Sequence, residues 1–462
     1  MKLFSHKDRP VHLGPYPLER LPRLADPAAP PPSIDGNRPP EERTEGPRGA
    51  AHAYTLYLDL FDAQRRGELS ERAPIPDDPI ERTHNIKGGL YFLDADMVGV
   101  GLIPDEAWLD DQAPRHRYGI VTLVAHTRRV GDGPGDDWID GTRQVNADLR
   151  AAELAVITAD YIRRLGFDAI AHTPTASEVD LDRVALQAGL IESIRGRLQA
   201  PYLDRGFALS VVSTDLELAP DAPLARRSKR DDLRSVRSAG WMFGRGGTRA
   251  GIARLNGDHR PLHMGRYPME KIDRVEEATT LIIPEEIVRV PVRAGGFPRA
   301  AHGDMGPKFQ KDVKVFSYKT PQAQSYIQQI GSMVPHQDGE VAAEVAANTS
   351  DPDRNADALK ALAYHLGGDM VGVCEVPEYA WYSHNGKGEE ITPRHRYGVV
   401  ILLDQGYETM EGASGDDWVS GAQSMRAYMR GAQIAGIMAE HLRSLGHGAR
   451  SHTNRDSALY FF

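Results

Sequence analysis

Only one cysteine, Cys374, occurs in the 462 residues, and that scarcity excludes several architectures. A single thiol forms no intrachain disulfide, which fits a reducing cytoplasm. A cysteine-ligated iron–sulfur cluster needs about four thiolates, so this chain builds none alone. Apolar runs of about 18 residues are missing, so no helix is expected to span a bilayer. The opening Met1-Lys-Leu-Phe-Ser-His-Lys has neither an apolar h-region nor twin arginines, and export is not expected. Positive charge is short as well. The net charge of −10 has the wrong sign for a phosphate-binding surface. No His-Glu-x-x-His occurs, and His441, His447 and His452 are not at ligand spacing on one helix, so no metal site is read. The loop-like run from Gly244 to Gly251 lacks the spacing of a nucleotide-binding P-loop and reads as a linker. Cys374 itself, inside Val371-Gly-Val-Cys-Glu-Val, reads as a small buried apolar residue rather than a nucleophile.

What the chain does have is itself, twice. Arg9-Pro-Val-His-Leu-Gly-Pro-Tyr-Pro-Leu-Glu returns as Arg260-Pro-Leu-His-Met-Gly-Arg-Tyr-Pro-Met-Glu. Asp96-Met-Val-Gly-Val and Trp108 return as Asp369-Met-Val-Gly-Val and Trp381. Pro114-Arg-His-Arg-Tyr-Gly returns at Pro393, and Gly135-Asp-Asp-Trp through Thr173 returns as Gly415-Asp-Asp-Trp through Thr453. That last stretch holds 17 identities in 39 ungapped positions. The order of blocks is the same, so a whole unit is repeated. The first copy spans 1–235, a linker 236–255, and the second copy 256–462. After His172-Thr173 the first copy runs on through Val211-Val-Ser-Thr-Asp-Leu, whereas few residues follow His452-Thr453. A truncated second copy is expected, with its remainder on a longer chain or another polypeptide.

Pattern gives a coarse structure. Arg143–Leu165 and Gln423–Leu445 carry apolar residues at helical spacing, and Gly166 and Gly446 follow as stops. The β-branched runs from Tyr118 and Tyr397 read as buried strands. Alternating strands and helices predict a mixed α/β core. Pro27 to Pro40 reads as a surface arm, and Arg226-Arg-Ser-Lys-Arg as a solvated connector.

Residues common to both copies, such as Trp138 and Trp418 or the two Arg-His-Arg-Tyr blocks, are read as scaffold. Departures are more informative. Asp148 in the first long helix is replaced by Tyr428 in the second, one step from Met425 and Ala432. Tyr428 is therefore expected to point at a core or a pocket rather than at water. Taken alone, such a tyrosine is a packing residue with its hydroxyl satisfied. His172-Thr-Pro-Thr becomes His452-Thr-Asn-Arg-Asp, so Asn454 places an amide where the first copy has a rigid proline. Turn chemistry alone would also explain it.

Tyr428-Met-Arg-Gly-Ala-Gln-Ile-Ala-Gly-Ile-Met-Ala-Glu-His-Leu-Arg-Ser-Leu-Gly followed by Gly448-Ala-Arg-Ser-His-Thr-Asn resembles the corrinoid-binding core of the reductive dehalogenases. The duplicated layout resembles their cytoplasmic, non-exported branch, in which a degenerate first copy precedes a functional one. That resemblance implies a nitroreductase-like α/β core binding cobalamin. It implies Tyr428 as proton donor, Asn454 lining the substrate pocket, and His452 and Thr453 beside the corrinoid. A basic residue that pairs with the tyrosine lies some sixty residues further on in the family, beyond Phe462. The two [4Fe–4S] clusters expected of the family are not ligated by this chain, so electrons would come from a donor protein or reductase domain.

The implied chemistry is Co(I)-dependent reductive cleavage of a carbon–halogen bond, consuming two electrons and one proton and releasing halide. The implied substrates are ortho-halogenated phenols or hydroxybenzoates. Free tyrosine titrates near pH 10, so it becomes a good acid only beside a cation. No Asp-x-His-x-x-Gly motif occurs, which points to a corrinoid without a protein histidine ligand. Two other readings stand beside this one. An epoxyqueuosine reductase-like enzyme would share the cobalamin core, but it uses an acidic donor that Tyr428 does not match, and RNA is disfavoured by the acidic surface. A non-enzymatic corrinoid-binding or processing remnant would have lost the redox part.

Overall fold

A computed structural model describes residues 10–38, 49–109, 116–128, 131, 133–203, 205–226, 260–273, 275, 280–316, 320–406 and 418–460. Pro114 and Arg115, the linker 236–255 and the Gly415-Asp-Asp run lie outside the described residues, as does the Trp418 side chain.

The first copy supplies α1 (Ala51–Asp62), α2 (Pro79–Phe92), β1 (Met97–Leu102), β2 (Tyr118–Ala125), the short α3 (Asp136–Ile139), α4 (Arg143–Arg164) and β3 (Ala169–His172). It continues with α5 (Leu181–Gln187), the small hairpin β4 (Glu192–Ile194) and β5 (Arg197–Gln199), and β6 (Phe207–Thr214). The second copy supplies α6 (Gly296–His302), α7 (Pro307–Phe316), α8 (Pro321–Met333), α9 (Pro352–His365), β7 (Met370–Glu375), β8 (Tyr397–Leu402) and α10 (Trp418–Ser444). Among the described residues no helix is long and apolar enough to cross a membrane.

Two compact units result, and they do not follow the sequence boundary strictly. One holds residues 1–45, 54–129 and 141–259; the other holds 260–462 together with 46–53 and 130–140 of the first copy. Trp138 thus belongs to the core of the second unit.

The first unit is built on an antiparallel sheet of order β1-β2-β6-β3. Helix α4 packs on β2, β6 and β3, while α5 packs on β1, β2 and β6. Strand β2 is buried along most of its length, as its unbroken β-branched run requires. Close approach of the segment after α5 explains the glycines of β1. A Cβ on Gly101 would stand 3.0 Å from the Ala188 nitrogen, and one on Gly99 3.0 Å from Leu190 Cγ.

The second unit repeats the local devices of the first. Asp78 caps α2 ahead of Pro79, accepting the Ile80 N–H, and Asp351 caps α9 ahead of Pro352, accepting those of Asp353 and Arg354. Gly14 (φ 64°) lies under the Tyr91 ring, and Gly265 (φ 61°) lies under the Tyr364 ring. The Val98 N–H donates to the Tyr91 hydroxyl at 2.9 Å, and the Val371 N–H to that of Tyr364 at 3.2 Å. Gly166 and Gly446 both stop their helices at φ 85°.

The sheets differ. The sheet of the second unit has β7 and β8 alone among the described residues. Two expectations are corrected by this. Strand β8 is not buried: Tyr397, Val400 and Leu402 are 60%, 59% and 51% exposed, against 7%, 0% and 0% for Tyr118, Val121 and Leu123. Cys374 is also exposed rather than buried. Its counterpart Gly101 is covered by Ala188, whereas among the described residues no such cover stands over β7, where a Cβ on Gly372 would meet nothing within 4 Å.

Candidate functional site

The site residues lie on α10 and on the turn that follows it. Met425, Met429 and Ala432 are buried on the packed face of α10, at 5%, 0% and 3%. Tyr428 stands out of that face and is 41% exposed, so the expectation that it points into a core is corrected. One turn later Gly431 lies against Leu403, just past β8, with a would-be Cβ 3.4 Å from Leu403 Cδ1.

Arg443, near the end of α10, is buried and holds the following segment by donating to the carbonyls of Ala449 at 3.0 Å and Gln337 at 3.3 Å. Ser451 N–H donates to the Gln337 carbonyl at 3.0 Å. Thr453 is buried; its N–H donates to the Asp456 carbonyl at 3.0 Å, and its hydroxyl accepts from Gln337 Nε2 at 3.2 Å. Asn454 is exposed at the tip of this turn. Tyr428 and Asn454 share no hydrogen bond among the described residues. His452, Thr453 and Asn454 are brought together by the turn itself.

His452 is held as a neutral ring. Its Nδ1 accepts the Ala458 N–H at 3.2 Å, and the ring meets Trp381 edge-on with centroids 6.3 Å apart. Burial pushes its pKa down to about 4, helped by the nearby Arg450. An Nδ1 that accepts leaves the proton on Nε2.

The first unit shows what that proton does when its partner is present. His172 Nδ1 accepts the Glu178 N–H at 3.2 Å, and its Nε2 lies 2.9 Å from Ser213 Oγ. Ser213 Oγ is also 2.9 Å from His116 Nδ1, and His116 Nε2 is 3.1 Å from Asp168 Oδ2. One assignment satisfies every group: His172 donates to Ser213, Ser213 to His116, and His116 to Asp168. Ser213 and His172 are fully buried, so the chain of bonds holds a sheet rather than attacking a substrate. In the second unit Gly448 replaces Asp168, with a would-be Cβ 3.9 Å from His395 Nε2. This third departure between the copies was readable in the repeat, where Phe167-Asp168 aligns with His447-Gly448.

The comparisons with known proteins fall on this geometry. No protein-family model matches the chain. No curated protein matches it. Among solved structures, a reductive dehalogenase whose structure suggests a mechanism for B12-dependent dehalogenation aligns at a TM-score of 0.91 and 43% identity. The alignment covers 99% of this chain and 66% of that one. The chain belongs to the reductive dehalogenase family. The catabolic reductive dehalogenase NpRdhA matches with the same score, identity and coverage. Its complex with 3-bromo-4-hydroxybenzoic acid matches at 0.90 and 43%, covering 99% and 65%. This reductive dehalogenase chain thus spans about two thirds of the length of those relatives. A solved epoxyqueuosine reductase aligns at only 0.25 and 11% identity, too distant to bear on the fold or the function.

Cobalamin is the cofactor implied by the family, and the second unit fits it on one side. A corrin ring needs a broad, largely apolar wall; among the described residues Val400 and Leu402 are exposed on one face of the β7–β8 sheet, a Cβ on Gly372 would meet nothing within 4 Å there, and Tyr428 is separately exposed on α10. The corresponding sheet of the first unit is closed by Ala188 and Leu190 and offers no such space. A cleft lined by Pro31, Ser33, Leu186, Ile191 and Leu224 lies in the first unit, holds about 40 Å³, and contains none of the candidate residues.

Proposed function

We propose that this chain is the corrinoid- and substrate-binding core of a cobalamin-dependent reductive dehalogenase acting on halogenated phenols or hydroxybenzoates, with Tyr428 as proton donor. The observation that carries the reading is the exposed phenol of Tyr428 at the place where the first copy has Asp148. Support for the substrate class comes from the solved relative in complex with 3-bromo-4-hydroxybenzoic acid. Cobalamin, when bound, supplies the low-potential reducing chemistry at the carbon–halogen bond.

The residues of the chain have three tasks. The Tyr428 O–H donates a proton to the carbon that loses halide, and its exposure lets solvent return that proton afterwards. Asn454, at an exposed turn tip, has an amide free to hold the ring hydroxyl or carboxylate of an aromatic acid. His452 and Thr453, whose side chains are engaged within the turn, would border the corrinoid through their main chain. With Cys374 as its one thiol, the chain would take electrons from a donor protein or reductase domain carrying the clusters. A cytoplasmic setting fits that thiol usage.

The test is bromide release from 3-bromo-4-hydroxybenzoate by the cobalamin-loaded protein with a strong chemical reductant. Tyr428→Phe should lower turnover by roughly 10²-fold or more while corrinoid absorbance is retained. Asp148→Asn should leave the rate unchanged. Undiminished turnover in Tyr428→Phe would show that another group is the acid.

A further inference from the structure

We propose that Asn385 is a site of spontaneous covalent modification, at which the main-chain nitrogen of Gly386 closes a succinimide on the Asn385 side chain and leaves an aspartate or isoaspartate. The inference stands on one turn of the second unit and depends on neither the cofactor nor the reaction.

The turn is an addition of the second copy. Five residues separate Trp108 from Pro114, whereas eleven separate Trp381 from Pro393. The longer segment folds back on itself. His384 pairs with Glu390 in an antiparallel bridge. Asn385 N–H donates to the Glu389 carbonyl at 2.9 Å, and Gly388 N–H to the Asn385 carbonyl at 3.0 Å. The chain leading into the turn is anchored as well. Ser383 N–H donates to the Val290 carbonyl at 2.9 Å, and Arg289 Nη2 to the Tyr382 carbonyl at 2.7 Å. The Asn385 amide is held at both ends. Its Oδ1 accepts the N–H groups of Lys387 at 2.9 Å and Glu389 at 3.0 Å. Its Nδ2 donates to Glu389 Oε2 at 2.7 Å. Bonds of this kind ordinarily do no more than fix a turn. Here the next residue is an exposed glycine, whose nitrogen no side chain obstructs and around which an added Cβ would meet nothing within 4 Å.

The chemistry follows from those contacts. Loss of the Gly386 N–H proton to solvent base frees the nitrogen to attack Asn385 Cγ. The new bond makes a tetrahedral centre with its negative charge on Oδ1, the atom at which two N–H donors are already aimed. Collapse of that centre breaks the Cγ–Nδ2 bond. Nδ2 leaves as ammonia, with its proton relayed through the Glu389 carboxylate in contact with it. Water then opens the five-membered ring at either carbonyl, giving aspartate or isoaspartate. The sum is an amide and water converted to a carboxylate and ammonium, with no change of oxidation state. The new carboxylate stands where the amide donated to Glu389, so the side-chain bond that closes the turn becomes a repulsion between like charges.

The test incubates the whole protein at mildly alkaline pH beside a synthetic peptide of the Ser383–Ile391 sequence. Conversion at Asn385 is read by mass spectrometry and by enzymatic methylation of isoaspartate. The protein is expected to convert roughly tenfold faster than the peptide, because only the folded turn aims its donors at Oδ1. Glu389→Gln should slow the protein severalfold, and Gly386→Ala should all but stop it. Both positions are exposed, so neither change disturbs the core. A protein that converts no faster than the peptide would overturn the proposal, since the turn would then protect the amide. So would equal rates in the native and Glu389→Gln proteins.

Discussion

The indole of Trp138 meets the imidazole of His441 edge-on, with centroids 5.0 Å apart and planes at 74°. Trp138 comes from the first copy of the sequence and His441 from α10 of the second, yet both belong to one compact unit. Both side chains are fully buried. Trp138 Nε1 and both ring nitrogens of His441 find no hydrogen-bond partner among the described residues, so the contact is one of packing. Trp138→Ala should cost about 3–5 kcal/mol through the cavity it leaves. Hydrogen exchange should show the loss in α9 and α10, with β2 protected as before. Loss confined to β2 and β6 would place Trp138 in the wrong core.

Acid should destabilise the protein earlier than its carboxylates require. Burial pushes His172 and His441 down to about 3 and His452 down to about 4. A folded state that keeps these rings neutral is favoured fully above the unfolded value near 6.5. Its advantage is lost as pH falls from there toward the folded values. At pH 5 each ring should contribute on the order of 2 kcal/mol of destabilisation relative to pH 7.5. Urea melts at the two pH values measure this. His441→Phe should make the acid limb shallower at little cost, because no hydrogen bond is lost. An unchanged slope in that variant would contradict the assignment.

Ser213→Ala in the first unit removes the shared partner of two buried imidazoles. His172 Nε2–H and His116 Nδ1 would both lose their bonds, at a cost of about 1–3 kcal/mol. Thermal melts of Ser213→Ala and Ser213→Thr should separate the hydroxyl from the volume. A melting point in Ser213→Ala equal to that of the native chain would show that the bonds are dispensable.

Much of this organisation was open to sequence reading because it rests on local chemistry. The repeat, the Asp-Pro helix starts, and the glycine stops of α4 and α10 are written in residues whose conformational demands do not depend on their neighbours in space. Exposure was not legible in the same way. Tyr397-Gly-Val-Val-Ile-Leu-Leu reads as a buried strand because pattern reports what a strand is suited to pack against, and pattern carries no record of whether that partner is present. The expectation for Cys374 failed for the same reason. Tyr428 was misplaced because its neighbours at i−3 and i+4 are buried, while the flank of the helix on which it sits is uncovered. The His172–Ser213–His116 chain joins residues far apart in sequence, and only the fold shows it. Gly448 could have been found earlier by asking where the second copy loses a carboxylate as well as where it gains a ring.

Gly265→Ala isolates the backbone device shared by the copies. At φ 61° a Cβ would stand 2.4 Å from the Tyr364 ring, so strain and a clash coincide. A destabilisation of about 2 kcal/mol or more is expected from chemical melts, with Gly14→Ala giving a comparable loss beside Tyr91. A neutral Gly265→Ala would mean that the Tyr364 ring is free to move away.

The central claim places the corrinoid against the second copy, beside Tyr428. Hydrogen exchange of the protein with and without bound cobalamin tests it most directly. New protection is predicted in α10 around Tyr428 and in the turn from His452 to Asp456, with α4 around Asp148 unchanged. Protection centred on Asp148, or saturating cobalamin with no change near Tyr428, would contradict the account.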